Sequence, residues 1–291
     1  MTLPDLSDYF IPKQQSELIE LLQRFGENAM IVAGGTFVHG LEARSLLPEV
    51  KALIDIGGLG LNGIATDSSG VFLGATATLA ELKQADFVQD DPAFGAIKDA
   101  VGYPPLQIQN VGTVGGCLAA SAPLYDVPAT LLVLDGTAHV MGAGGERQIA
   151  LTDFFIGLFE NALQPDEFIT EVRLPAQVAR TTSAFMKLET NANDLAIINV
   201  AVRFTLDEAG LCRDSRIVIG GGIGESYVRA GSAESELNGT KPGDDLFKVA
   251  STAVATDIDP ITDHRGSEEY RRYMAVAYTR RALGRALERL A

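Results

Sequence analysis

Cysteine and histidine are the scarce residues of this 291-residue chain, with only Cys117 and Cys212 and, of histidines, His39, His139 and His264. An iron–sulfur cluster ordinarily takes four thiolates, so this chain alone does not supply one. No two histidines have zinc-ligand spacing, and any metal in a working enzyme is expected from another chain. Positive charge is also short. There are 23 lysines and arginines against 38 aspartates and glutamates, a formal net charge of −15. That leaves no basic stripe to displace counterions from a nucleic acid. Acidity otherwise implies only a solvated, self-repelling surface. Long apolar runs are missing: the run at 129–134 is too short to span a bilayer. The start, Met1 to Asp8, is acidic and broken by Pro4, unlike a signal peptide. These absences predict a cytoplasmic protein with no membrane insertion. No GK[ST] triplet occurs, which excludes a P-loop.

Glycine, in contrast, is plentiful and clustered. Ala33-Gly34-Gly35-Thr36 and Asn110-Val111-Gly112-Thr113-Val114-Gly115-Gly116 each follow or interrupt an apolar run, where a strand hands over to a turn. Glycine there removes the Cβ, permits positive φ and lets backbone N–H groups approach a ligand. Successive N–H groups on such turns make anion-binding concavities, to which threonine hydroxyls add donors. Two tight turns that bind nothing are one reading, and a cradle for the two phosphates of a dinucleotide is the other. Three clusters imitate the GxGxxG fingerprint without completing it. Gly220-Gly221-Gly222-Ile223-Gly224-Glu225 has glutamate where the third glycine belongs, and no continuous amphipathic helix follows. Gly142-Ala143-Gly144-Gly145 suits a turn, and after Gly34-Gly35 the next glycine, Gly40, comes too late.

The composition, 46% hydrophobic and 21% charged, fits one large or two modest globular domains. Residues 9–56 read as a strand–helix–strand unit with parallel pairing: a helix over 15–25 capped by Gly26, and strands at 29–33 and 51–56. Between 60 and 175 we expect strands at 71–75 and 167–174, a helix over 79–85 capped by Thr78, a helix over 92–101 and a short one around Pro128. A hairpin is expected to join 137–141 to 147–150. Beyond 176, strands at 183–188, 197–206 and 215–220 predict a three-stranded antiparallel sheet. The alternation of Val200, Val202, Phe204 and Leu206 predicts that it is half-exposed. The last helix, after Ser267, should bury Tyr270, Tyr273, Met274, Ala277, Tyr278, Ala286, Leu287 and Leu290.

The second glycine loop, with Ala119-Ala120-Ser121-Ala122-Pro123 and Asp126 after it, resembles the flavin-binding stretch of the molybdenum hydroxylases. That family includes the xanthine and carbon monoxide dehydrogenases. Val32-Ala33-Gly34-Gly35-Thr36 resembles the family's first FAD loop. The likeness continues through Ala52 to Ile56, Leu73 to Thr78, Leu151 to Phe155, Arg229 with Glu234 to Gly239, and Asp263-His264-Arg265 with Tyr270-Arg271. It covers nearly the whole chain in order.

The resemblance implies an α+β fold. A two-part FAD-binding domain of the vanillyl-alcohol-oxidase and p-cresol-methylhydroxylase type would occupy 1–175, divided at 57. A C-terminal domain with the antiparallel sheet and helices would occupy 176–291. It also implies the medium, FAD-binding subunit of a three-subunit oxidoreductase. Noncovalent FAD would relay electrons from [2Fe–2S] clusters on a small partner to an external acceptor. Molybdopterin would sit on a large partner, in a dimer of heterotrimers. Carried over position by position, Ile31, Val32, Ala33, Gly34, Gly35, Thr36, Phe37 and Val38 match one pyrophosphate loop. Thr113, Val114, Gly115, Gly116 and Cys117 match the other. Tyr103, Asp126, Ile169 and Lys187 match positions beside the cofactor, Ile169 and Lys187 beside its ring system. No catalytic acid or base and no metal ligand is expected in this chain. Two positions depart from the pattern: Cys117 stands where asparagine is usual, and Gln109 where arginine is common. A self-contained flavin oxidoreductase of the same fold, and a flavin-free scaffold subunit, are the alternatives.

Overall fold

We describe the chain from a computed structural model covering residues 6–42, 49–192 and 194–290; the first part of the acidic start, residues 1–5, lies outside these. Among the described residues, three sheets of three or more strands follow one another along the sequence, beside a two-stranded ribbon of Phe155–Gly157 and Glu160–Asn161. The first is small and parallel, with Ala52–Asp55 between Asp8–Phe10 and Ala29–Val32. Helix Gln15–Phe25 crosses over it, burying Leu18, Leu21 and Leu22 against Ile54 and Ile56. Gly26, at φ +52°, ends that helix with its N–H on the Leu22 carbonyl, a left-handed turn that favours glycine. The core of this unit is completed from far along the chain by Phe168.

The second sheet is antiparallel throughout, in the order Ile64–Asp67, Gly70–Gly74, Phe168–Pro175, Thr137–Gly142 and Gly145–Ala150. Ala143 and Gly144 form the tight turn of its hairpin. Helix Leu79–Gln84 starts in a capping box: Thr78 Oγ1 accepts from Glu81 N–H while the Glu81 carboxylate accepts from Thr78 N–H. The helix expected over 92–101 is broken into a 3₁₀ turn, Pro92–Phe94, and helix Gly95–Ala100.

The third sheet has four strands rather than three, in the order Thr181–Leu188, Ile198–Leu206, Cys212–Gly221 and Val228–Arg229. Nor is it half-exposed. Every residue from Ile198 to Phe204 is buried, because helix Glu268–Glu288 covers one face and helix Asp126–Val133 packs on the other. The last helix presents the expected stripe only in part: Ala286 is buried and Met274, Tyr278, Leu287 and Leu290 pack against the core, but the fully buried positions lie mostly elsewhere. Arg271, Ala275, Thr279, Ala282, Leu283 and Ala286 are buried, while Tyr270 and Tyr273 are exposed. Small residues let the helix lie close to the sheet, and the tyrosines are left on its outer side.

Candidate cofactor site

Strand Ala29–Val32 ends in the first glycine loop, which turns at Gly35 (φ +68°) into helix Thr36–Glu42. A Cβ on Gly34 would lie 1.7 Å from the Val111 carbonyl oxygen, so the two glycine loops, some eighty residues apart, touch backbone to backbone. They differ in what they offer. Among the described residues, no acceptor pairs with the backbone N–H groups of Gly34 to Val38. Those of the second loop are already engaged: Val114 donates to the Ala77 carbonyl, Gly115 to that of Ala75 and Gly116 to Thr113 Oγ1. Thr113 thereby caps helix Val114–Ala119. Neither Gly115 nor Gly116 has positive φ. Gly115 is glycine for space, since a Cβ would come within 2.8 Å of the Ala75 Cβ and carbonyl oxygen.

Where the loops meet, three adjoining cavities form one cleft. The middle one, about 220 Å³, is lined by residues 30–38 together with Thr113, Gly116, Cys117 and Tyr125. Through Thr36, Cys117 and Tyr125 it adjoins a cavity of about 240 Å³ walled by Pro104, Pro105, Asp126, Lys187, Asp194 and Leu195. In the other direction, past Ile31, Ala33, Gly116 and Ala119, it narrows to about 100 Å³ beside Gly115, Leu163 and Ile169.

A buried charge cluster marks the wide end. Lys187 Nζ lies 3.0 Å from Asp126 Oδ2 and 3.2 Å from Glu189 Oε2, and stands 5.2 Å from the centre of the Tyr103 ring. Lys187 and Asp126 side chains are only 4% and 6% exposed, and burying two charges is stabilising only when they are paired. Asp126 Oδ1 is buried without a hydrogen-bond partner among the described residues. Burial raises the Asp126 pKa to about 7, a rise that Lys187 opposes and Glu189 reinforces. The neighbouring Cys117 thiol is pushed up to about 12, by burial first and then by the charge of Asp126.

Most of the residues expected at a cofactor therefore converge, with two qualifications. Val114 lines none of the cavities: its N–H is spent on the Ala77 carbonyl and its side chain is fully buried in the central core. The two residues expected beside the ring system are split, Lys187 lining the wide end and Ile169 the narrow one, and Tyr103 lines none of the cavities but stands against Lys187. Sequence reasoning missed Pro104, Pro105, Tyr125, Asp194 and Leu195. Tyr125 had a signal in its neighbour Asp126, whereas the polar stretch around Asp194 has no periodicity to mark it. Gln109 is not a gap in the site. It is buried, accepts from Lys83 Nζ at 3.2 Å, and its amide donates to the Pro104 carbonyl at 2.6 Å.

The donor set suits a dinucleotide such as FAD. Open N–H groups on one wall fit pyrophosphate oxygens, and the orphan Asp126 Oδ1 requires a hydroxyl or N–H donor. The narrow end is mostly apolar. Among the described residues, no group of three or more metal-ligating side chains occurs.

Comparison with known proteins identifies the family and the fold. Residues 5–177 match the family described as FAD binding domain in molybdopterin dehydrogenase, and residues 183–286 match the CO dehydrogenase flavoprotein C-terminal domain. The chain is 31% identical to the 6-hydroxypseudooxynicotine dehydrogenase complex subunit alpha of Paenarthrobacter nicotinovorans, covering 98% of this chain and 96% of that one. It is also 31% identical to the carbon monoxide dehydrogenase medium chain of Afipia carboxidovorans, over 99% of both. The solved carbon monoxide dehydrogenase of Hydrogenophaga pseudoflava, lacking the Mo-pyranopterin moiety of its cofactor, contains a chain that superposes with a TM-score of 0.92 at 30% identity, covering 100% of each. The relatives are named as dehydrogenase subunits of multisubunit oxidoreductases. This chain belongs to the FAD-binding medium subunits of the molybdenum hydroxylase-type dehydrogenases.

Proposed function

We propose that the cleft holds FAD noncovalently and that this chain relays electrons from iron–sulfur clusters on a small partner subunit to an external acceptor. The observation that carries the reading is one continuous cleft with free backbone donors at its middle and a buried Lys187–Asp126 pair at its wide end. FAD would supply the capacity to take up electrons and release them singly or in pairs. The N–H groups of Gly34 to Val38 hold pyrophosphate oxygens, with the Thr36 and Thr113 hydroxyls as further donors. Asp126 Oδ1 accepts from a cofactor hydroxyl. Lys187, fixed by two carboxylates and standing against Tyr103, would present its ammonium group to the ring system of a bound flavin. Ile169 supplies apolar surface at the narrow end, and Tyr103 backs Lys187 at the wide end.

Noncovalent attachment is favoured by the side chains that could otherwise bond the cofactor. Cys117 is held as a thiol by its pKa of about 12, and thiolate is the nucleophilic form. His39 lies outside the cleft lining, with its side chain 74% exposed beside Glu42.

The names of the relatives, as medium chains and complex subunits, support a large molybdopterin partner and a small iron–sulfur partner. A dimer of such heterotrimers in the cytoplasm fits the same reading. The domain division at 175 and 176 is supported by the family matches that end at 177 and begin at 183.

Acid precipitation of the purified, FAD-loaded chain should leave all flavin in the supernatant. Flavin retained in the pellet refutes noncovalent attachment. A chain that gains no flavin spectrum in excess FAD refutes the cofactor assignment.

A further inference from the structure

The segment Ala122 to Asp126 joins the second glycine loop to Asp126 and forms part of the cleft wall through Leu124, Tyr125 and Asp126. The contacts that fix its backbone come from the C-terminal domain. The Tyr227 hydroxyl lies 2.8 Å from the Ala122 carbonyl oxygen and 2.9 Å from that of Tyr125, a shared donor to both. Asn199 Nδ2 donates to the carbonyls of Pro123 at 3.1 Å and Tyr125 at 3.2 Å. Backbone N–H groups add two more bonds, Gly221 to Pro123 and Ala196 to Leu124. Every carbonyl from Ala122 to Tyr125 thus has a donor from beyond residue 195.

Burial raises the Tyr227 hydroxyl well above its ordinary pKa, with Asp126 adding to the shift, so it remains a donor. The glycine triplet that imitates a dinucleotide fingerprint makes this approach possible. A Cβ on Gly220 would lie 2.5 Å from the Pro123 carbonyl oxygen, 2.5 Å from Asn199 Oδ1 and 2.9 Å from the Tyr227 ring. Gly221, at φ +98°, would meet the Ile197 carbonyl at 2.4 Å, and Gly222 lies against the Arg271 guanidinium.

We infer that Tyr227, Asn199 and Gly220 form a clamp by which the C-terminal domain positions Tyr125 and Asp126 for the cofactor. These are positioning residues, which do not line the FAD cleft themselves. The inference rests on the FAD reading of that cleft. It also gives Gly220 a role, leaving room for a turn of the neighbouring domain, whereas Gly221 and Gly222 leave room for Ile197 and Arg271 of their own domain.

The test is FAD titration of the full-length apo-chain, as wild type, Tyr227→Phe and Gly220→Ala, beside the thermal midpoint of each apo-chain. Tyr227→Phe removes one shared hydrogen bond at constant shape, and FAD affinity should fall about tenfold. Gly220→Ala forces the Pro123 carbonyl aside and should weaken FAD by at least as much. In saturating FAD, the flavin absorbance bands of both variants should be displaced from wild type, because Asp126 has moved relative to the ring. A purely structural role predicts lowered midpoints with unchanged bands in the occupied fraction and a Kd within twofold of wild type, and that result overturns the clamp. Should Tyr227→Phe fail to fold, Gly220→Ala decides alone by the same criteria, and its failure to fold as well counts against a positioning role. A wild-type chain that binds no FAD overturns the cofactor reading and this inference together, whereas normal wild-type binding with indifferent variants overturns only the clamp.

Discussion

Asp126 is the residue whose chemistry is most altered by its surroundings. Its pKa in the folded chain is about 7, against 3.8 for an unhindered side chain. Between those values the folded state holds a proton that the unfolded chain has released, so unfolding releases protons in that range. The Asp126 contribution to apo-chain stability is therefore largest in acid. It declines as pH rises from about 4 to about 7 and is flat above that. Asp126→Asn removes this slope. Urea midpoints of both apo-chains at about pH 5 and about pH 8 should show the wild type losing ground to the variant as pH rises. An unchanged gap would mean that Lys187 and solvent already neutralise the cost of the buried charge. The same reasoning explains why the pair was half-legible. Asp126 and Lys187 were each singled out, but their separation of 61 positions in sequence hid that they are partners.

Among the elements, the short helix Val114–Ala119 separates two kinds of glycine. Gly115 is buried against Ala75, whereas Gly116 is exposed in the cleft and a Cβ there meets only Thr113 Oγ1, at 2.8 Å. Gly115→Val should drive side-chain atoms into the Ala75 backbone and lower the apo-chain thermal midpoint sharply, by about 1–3 kcal/mol or more of stability. Gly116→Val should disturb the Thr113 cap by about 1 kcal/mol while abolishing flavin uptake. Flavin stoichiometry set against apo-chain midpoint distinguishes them. A Gly116→Val chain with full FAD would remove the second loop from the site. From sequence both glycines looked alike, as positions needing positive φ, because spacing reports that a Cβ is unwelcome but not what stands in its way.

Periodicity was informative at the same scale where one face meets water. The helix Gln15–Phe25, the capping box at Thr78 and the hairpin around Ala143 all lie as their patterns imply. It misled for the strand Ile198–Leu206, which is covered on both faces, and for the last helix. There the buried stripe is built mostly from alanines, with Thr279, Leu283 and Arg271, and as a whole contrasts little in hydropathy with the exposed side.

Across the whole molecule, the two domains are joined by a latch as well as by the clamp on the flavin turn. Asp99, on helix Gly95–Ala100, accepts from Arg285 of the last helix and from Arg289 just past its end at 2.6 Å each, and from the Phe185 backbone N–H at 3.0 Å. Asp99→Ala leaves a buried N–H and a half-buried guanidinium unpaired, at a cost of roughly 2–3 kcal/mol. Urea unfolding of the apo-chain, followed by near- and far-ultraviolet circular dichroism, should move from one transition to two at lower denaturant. A single transition at the wild-type midpoint would show that the remaining interdomain contacts suffice. The order of domains was readable because the motifs recur in sequence. The latch was not, because an aspartate and two arginines almost two hundred residues apart carry no local pattern.

The N-terminal unit has a small core that borrows Phe168 from the next sheet, and its glycine loop meets its counterpart at the Gly34–Val111 contact. One wall of the cleft therefore belongs to a body that must first dock before the cleft exists. A dinucleotide lying across both loops is then a third party to that docking, and occupancy and assembly become a single equilibrium. If FAD lies across both loops as proposed, each tenfold rise in free FAD above its Kd adds about 1.4 kcal/mol to the attachment of this small unit. On that reading the supply of flavin, besides the sequence, sets how firmly the unit is closed.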